Sequence, residues 1–191
     1  MTLADLDTIK RRIGRAFGAV RNASGAEYEI SYQAWETDFT TDFRAIGLKS
    51  PEQLEDEFLN LFIWMWSLKD HLKTCLATRG LHGKIVEEEV NRCHELGYAA
   101  DIANRAKHGV LRQSRSGEFA KLGDVGFTAP QESIERIIVA GSEVTVHFRD
   151  LNLVQIRATV TTNSGARLDA ITVLDEAMKR WEASIISKIM P

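Results

Sequence analysis

Residues 51–78 constrain this chain more than any other stretch. Ser50-Pro51-Glu52-Gln53 supplies an N-cap hydroxyl, a proline at the first helical position and the reciprocal glutamine of a capping box. Behind that start, Leu54, Phe58, Leu61, Met65, Leu68 and Leu72 share one face at about 100° per residue, while Ile63, Trp64 and Trp66 point elsewhere. The middle of the helix is therefore apolar nearly all round, which places it at the centre of a bundle or in a subunit interface. Its greasiest run, Phe58 to Trp66, is broken by Asn60 and falls well short of the roughly 20 residues a membrane helix needs. No membrane association is expected.

The flanking segments read as follows. Leu3, Leu6, Ile9, Ile13, Phe17 and Val20 recur at three- and four-residue steps and predict a helix over 3–21. Tyr28, Ile30 and Tyr32 alternate like a strand, but Tyr28, Tyr32, Trp35, Phe39, Phe43 and Ile46 keep helical spacing over a longer window, and that longer pattern predicts a second helix over 26–46. A fourth helical region is expected from Lys84 to about Leu111, with an interruption near Gly97. Residues 112–133, rich in Ser and Gly, have loop chemistry with room for one short strand.

Val144, Val146 and Phe148 alternate with polar residues, as do Val154, Ile156, Ala158 and Val160, which predicts half-buried antiparallel strands; a strand at 134–140 would precede them across a Gly141-Ser142 turn. Asn163-Ser164-Gly165 is a further turn, and Asp169 caps a last helix with its stripe of Ile171, Leu174, Met178, Trp181 and Ile185. The expected class is α+β: a predominantly helical bundle of about five helices with a small antiparallel sheet before the C-terminal helix. A single domain is expected, with the bundle over 1–111, loop and strands over 112–168 and the last helix over 169–190.

Charge and cysteine content exclude several classes of function. With a net charge of -3, the chain has no global attraction for nucleic acid or an anionic membrane, so any such partner must meet a local patch. Cys75 and Cys93 stand alone, without CxxC or Cys/His spacing, and the N-terminus carries Asp5 and Asp7 in place of an apolar leader. A reducing compartment, the cytoplasm, fits best. There is no Walker loop, GxGxxG, GxSxG or HExxH. Asp70, His71, Asp101 and His108 are ligand types without HxxxH or ExxH spacing, and neither a metal nor a cofactor is expected.

The stretch richest in chemistry is Asp101-Ile102-Ala103-Asn104-Arg105-Ala106-Lys107-His108. Helical projection puts Asp101, Asn104, Arg105 and His108 within about 100° of arc, opposite Ala99, Ile102, Ala103, Ala106 and Val110. Arg105 and Lys107 would bind a phosphate, His108 would move a proton, and Asp101 and Asn104 would orient them; the alternative is a solvated helix face with ordinary charge pairing. A second polar cluster is expected at Lys69, Asp70 and His71. Lys69 projects from an apolar face and must snorkel or find a carboxylate, with Asp70 or Asp101 as partner. Between Arg92 and Lys121, six Lys/Arg residues face three acidic ones, the local support for an anionic ligand such as RNA.

WxLKDxL (Trp66 to Leu72) and DxANxxKH (Asp101 to His108), followed by a short sheet and a Trp-containing last helix, resemble a group of uncharacterised bacterial and phage-associated helical proteins. More remotely, a polar helix ending in His is similar to the HEPN superfamily of helical bundles, many of them metal-independent RNases of toxin and defence systems. That resemblance implies an Arg and a His four to six residues apart, whereas Arg105 and His108 have only Ala106 and Lys107 between them. Two expectations follow. One is an interaction or binding domain whose polar helix cluster braces the bundle and whose surface meets a protein; the other is an RNA-binding domain or RNase, in which a homodimer across the apolar 51–78 helix would pair two polar stripes.

Overall fold

In the computed structural model, residues 3–33 and 40–189 are described. The capping box forms as expected: the Gln53 amide donates to Ser50 Oγ at 3.1 Å, and the Ser50 amide donates to Gln53 Oε1 at 3.0 Å. Helix α2 (Pro51–Thr78) starts there, and Phe58, Leu61, Phe62, Met65, Leu68, Leu72 and Leu76 along it are fully buried. Helix α1 (Leu3–Val20) buries Leu6, Ile9 and Ile13, the three- and four-residue stripe of its sequence.

The expected α+β helical bundle with one small antiparallel sheet is corrected by the structure. Two sheets form, with strand orders β1-β2-β5-β4 and β3-β6-β7. The helix expected over 26–46 is instead the antiparallel pair β1 (Ser24–Gln33) and β2 (Thr40–Leu48), with Tyr28 opposite Ala45 and Ile30 opposite Phe43. A four-residue spacing is two full periods of a strand as well as about one turn of a helix, so that pattern did not discriminate. The local alternation of Tyr28, Ile30 and Tyr32 carried the information. Trp35 and Phe39, which completed the helical pattern, lie outside the described residues.

The hairpin of β4 (Ile134–Ala140) and β5 (Glu143–Phe148) turns at Gly141-Ser142 as expected, Gly141 taking the positive φ of 64° that a two-residue hairpin turn demands. Beyond the hairpin, β5 pairs parallel with β2, from Asp42 opposite Glu143 to Ile46 opposite His147. The other sheet consists of β3 (Lys121–Thr128), β6 (Gln155–Thr161) and the short β7 (Arg167–Asp169).

The described residues of Met1–Ala19, Glu57–Asp124 and Ala158–Pro191 gather into one compact unit, and those of Val20–Asp56 and Val125–Arg157 into another. The first is the helical one. In it α3 (Lys84–Arg92) and α4 (His94–His108) replace the expected continuous helix, breaking at the extended Cys93 rather than at Gly97. Helix α5 (Ala170–Trp181) is capped by Asp169, whose carboxylate accepts from the Thr172 amide at 2.7 Å; the chain then runs through a π-turn, Glu182–Ile186, into α6 (Ser187–Ile189). In the second unit, Tyr28 stacks edge-on against Phe43 and Phe127 over a core of Ala23, Ala45, Leu48 and Val154.

Replacing Ser50 by Ala removes one half of the reciprocal cap at the start of α2 and should cost about 1 kcal/mol, read as a shift of the chemical denaturation midpoint at unchanged slope.

Candidate functional site

Asp101 lies on α4, is 0% exposed, and is one of three buried polar or charged residues among those described. Both of its oxygens are engaged. Oδ1 accepts from the Arg115 amide at 2.6 Å; Oδ2 accepts from the Ser114 and Ser116 hydroxyls, each at 2.6 Å, and from the Ala120 amide at 3.2 Å. One carboxylate thus folds the loop between α4 and β3 onto the helix. Gly97 sits a turn earlier on the same face, and a Cβ there would lie 2.9 Å from Ser116 Cα. The pair works as a seat: glycine lets the loop backbone approach and the carboxylate supplies its hydrogen bonds.

Loop and helix are further tied at Trp66. The Arg115 guanidinium lies 6.0 Å from the Trp66 ring centre, and its Nη1 is 3.1 Å from Glu87 Oε2. Lys73 meets the same Glu87 carboxylate, and this bond, aided by the Arg115 charge, holds the Glu87 carboxyl below its usual range. Lys69 lies 4.8 Å from the centre of the Trp66 ring and pairs with Asp70 at 2.5 Å, which is the partner it needs. Through Arg115, whose amide binds Asp101 and whose side chain reaches Trp66, the structure brings the WxLKDxL and DxANxxKH segments together. His71 is half-buried, and its Nδ1 has no hydrogen-bond partner among the described residues.

The last turn of α4 is different in character. Residues 101–103 are buried, Asn104 and Arg105 are half-buried, and Lys107 and His108 are exposed. Burial along this helix therefore changes with position on its axis as much as with its face. Ala106 and Val110, placed on the buried side by projection, are exposed, Val110 at 70%. Asn104 and His108 open into a cavity of about 620 Å³ shared with Val110, Leu111, Arg112 and Gln113. Asp101 does not line it. Among the described residues, Arg105, Lys107 and Arg112 have no ion-pair partner, and they stand where the carbonyl end of a helix favours positive charge.

Ser114, Arg115, Ser116 and Glu87 carried no site signal in the sequence, and Gly97 read only as a helix interruption. A Ser-x-Ser inside a Gly/Ser-rich loop carried no sign that both hydroxyls meet one distant carboxylate. Cys93, at the α3–α4 break, is pushed up to about 11 by burial, with Glu95 taking its S–H at 3.2 Å. Such a thiol is a weak nucleophile at neutral pH. Among the described residues no cluster of three or more His, Cys, Asp or Glu could hold a metal, and no helix is long and apolar enough to cross a membrane.

Asp101→Asn puts an amide donor among four donors and should cost roughly 3 kcal/mol, lowering Tm by about 6–12 °C and unprotecting the Arg115 and Ala120 amides in hydrogen exchange. Unchanged melting with unchanged protection would refute the seat. Gly97→Ala should destabilise by about 1–3 kcal/mol through the Ser116 contact, with exchange rising in the same loop. Iodoacetamide should alkylate Cys93 slowly at pH 7.5, the rate climbing about tenfold per pH unit up to pH 10.

Searches against protein families, characterised proteins and solved structures return no match, so the reading of this site rests on its own geometry.

Proposed function

We propose that this chain is a non-catalytic binding domain and that the C-terminal end of α4 takes a phosphate-bearing strand, single-stranded RNA being the fitting class. One observation carries the reading: Asn104, His108 and Arg112 share an open cavity whose neighbouring cations have no acidic partner among the described residues. Arg105, Lys107 and Arg112 make a local excess of positive charge on a chain that is negative overall. Such a patch attracts phosphates through counterion release. Asn104 and Gln113 add amides that can hydrogen-bond a base or a sugar.

Among the described residues no carboxylate pairs with His108, and this favours binding over cleavage. A histidine acting as general base works best with a carboxylate holding its other nitrogen; of the acids on the same helix, Asp101 is wholly engaged with the loop and Glu95 lies in the first turn, accepting from Cys93. The RNase alternative retains one point in its favour, the exposure of His108 to the same cavity.

Fluorescence anisotropy with a labelled 12-nucleotide RNA tests the reading. Binding should weaken steeply with salt. Lys107→Ala and Arg112→Ala should each weaken it severalfold and reduce the slope of log K against log salt by about 0.7. Failure to bind at 50 mM salt, or equal binding by the double variant, would sink the proposal. Parallel gels decide the alternative: cleavage by the native chain that disappears in His108→Ala would make this an RNase site.

A further inference from the structure

We infer that strand β4 is a homodimerisation edge, pairing antiparallel with β4 of a second copy about a two-fold axis at Ile138. The strand is an edge of its sheet, and six of its seven residues are exposed. Three consecutive aliphatic residues stand in the open there: Ile137 is 56% exposed, Ile138 43% and Val139 69%. Since successive side chains alternate, apolar surface lies bare on both faces of the strand at once. Edges of this kind are normally blunted with charge or proline, because their free N–H and C=O groups recruit another strand. The opposite edge, β1, carries Glu27 and Glu29, with Glu29 paired to Arg44 at 3.2 Å. On β4 the charged residues, Glu135 and Arg136, sit at the irregular start, and the regular part from Ile137 to Ala140 has none.

A second copy of the same strand fits this edge, because one two-fold register meets both its hydrogen-bond phase and its aliphatic run. In a two-residue hairpin the closing pair, here Ala140 and Glu143, exchanges both of its hydrogen bonds, so every second residue of β4 bonds towards β5. Ala140, Ile138 and Arg136 are therefore turned inward, while Ile137 and Val139 direct their N–H and C=O groups to the open edge. Under two-fold symmetry at Ile138, each Ile137 faces the Val139 of the other copy, and these are the residues with free backbone groups. The two Ile138 side chains meet at the non-hydrogen-bonded position across the axis. Ile137 and Val139 of both copies then cluster on one face and the Ile138 pair on the other. One register thus satisfies the bonding phase and covers all three aliphatic positions. Such a self-complementary patch is what a two-fold contact requires.

Sedimentation equilibrium on the intact chain, together with single-cysteine crosslinking, tests the assignment. The native chain should be dimeric at tens of micromolar. Val139→Lys should weaken association at least about tenfold, since its ammonium would be buried unpaired, while leaving the far-UV spectrum of the chain unchanged. In a Cys93→Ser background, Ile138→Cys should oxidise rapidly to a disulfide-linked dimer, because facing non-hydrogen-bonded residues lie about 4.5 Å apart at Cα. Ile137→Cys and Val139→Cys, each two positions out of register with its own copy, should not. A monomeric native chain, or a dimer that survives Val139→Lys, overturns the edge. A dimer lost in Val139→Lys but never linked through Ile138→Cys overturns the two-fold register.

Discussion

A single carboxylate organises the most chemically loaded part of this molecule. Asp101 is sealed from solvent and accepts two hydroxyls and two main-chain amides from the loop that follows its helix. A buried ion is tolerated only when its lone pairs are met, and here the donors come from four residues of one loop, Ser114, Arg115, Ser116 and Ala120. That loop then delivers Arg115 to Trp66 and Glu87, where Lys69 and Lys73 also converge. The position of Arg112 and Gln113 at the mouth of the His108 cavity depends on the same anchorage, because they are the residues that enter the loop. Structure and proposed binding surface are thus joined through a residue that touches no ligand.

The arrangement separates two jobs that a helical projection merges. On paper, Asp101, Asn104, Arg105 and His108 form one polar stripe. In the fold, the stripe is cut along its length: its first member is interior and structural, and its last members are at the surface. About 3.6 residues per turn fix which side a group faces, but not how deep that turn lies. Depth comes from what packs on the helix, and α4 is covered by α3, by α5 and by the loop from its own end.

Local signals were legible where short-range physics decides them. The Ser50–Gln53 cap, the apolar girth of α2, the Gly141-Ser142 turn and the Asp169 cap all depend on neighbours within a few residues, and each appears in the structure as read. Segment 26–46 was misread because its four-residue aromatic spacing satisfies two periodicities at once. Locally only the alternation of Tyr28, Ile30 and Tyr32 spoke for a strand, because the other partner of β2 is β5, about a hundred residues later in the chain and beyond any local window. Asp101 was expected either to orient a polar stripe or to brace the bundle, and its partners Ser114 and Ser116 were unreadable, since a hydroxyl in a loop has no preferred acceptor until the chain has folded. Pairing of Lys69 with Asp70 was accessible, because an ammonium among Met65, Phe62 and Leu72 has few other ways to be neutralised.

The parallel ladder between β2 and β5 has a consequence for how the chain reaches this state. Leu48 ends one strand and Glu143 begins the other, and α2, α3 and α4 are all threaded between them. During synthesis the β1–β2 ribbon emerges first, with Tyr28, Ile30 and Phe43 on its surface, and must wait until almost the whole polypeptide has left the ribosome. So late a closure makes for slow assembly and a long exposure of adhesive apolar surface. Neither compact unit is contiguous in sequence, and no single cut would release one of them as an uninterrupted fragment.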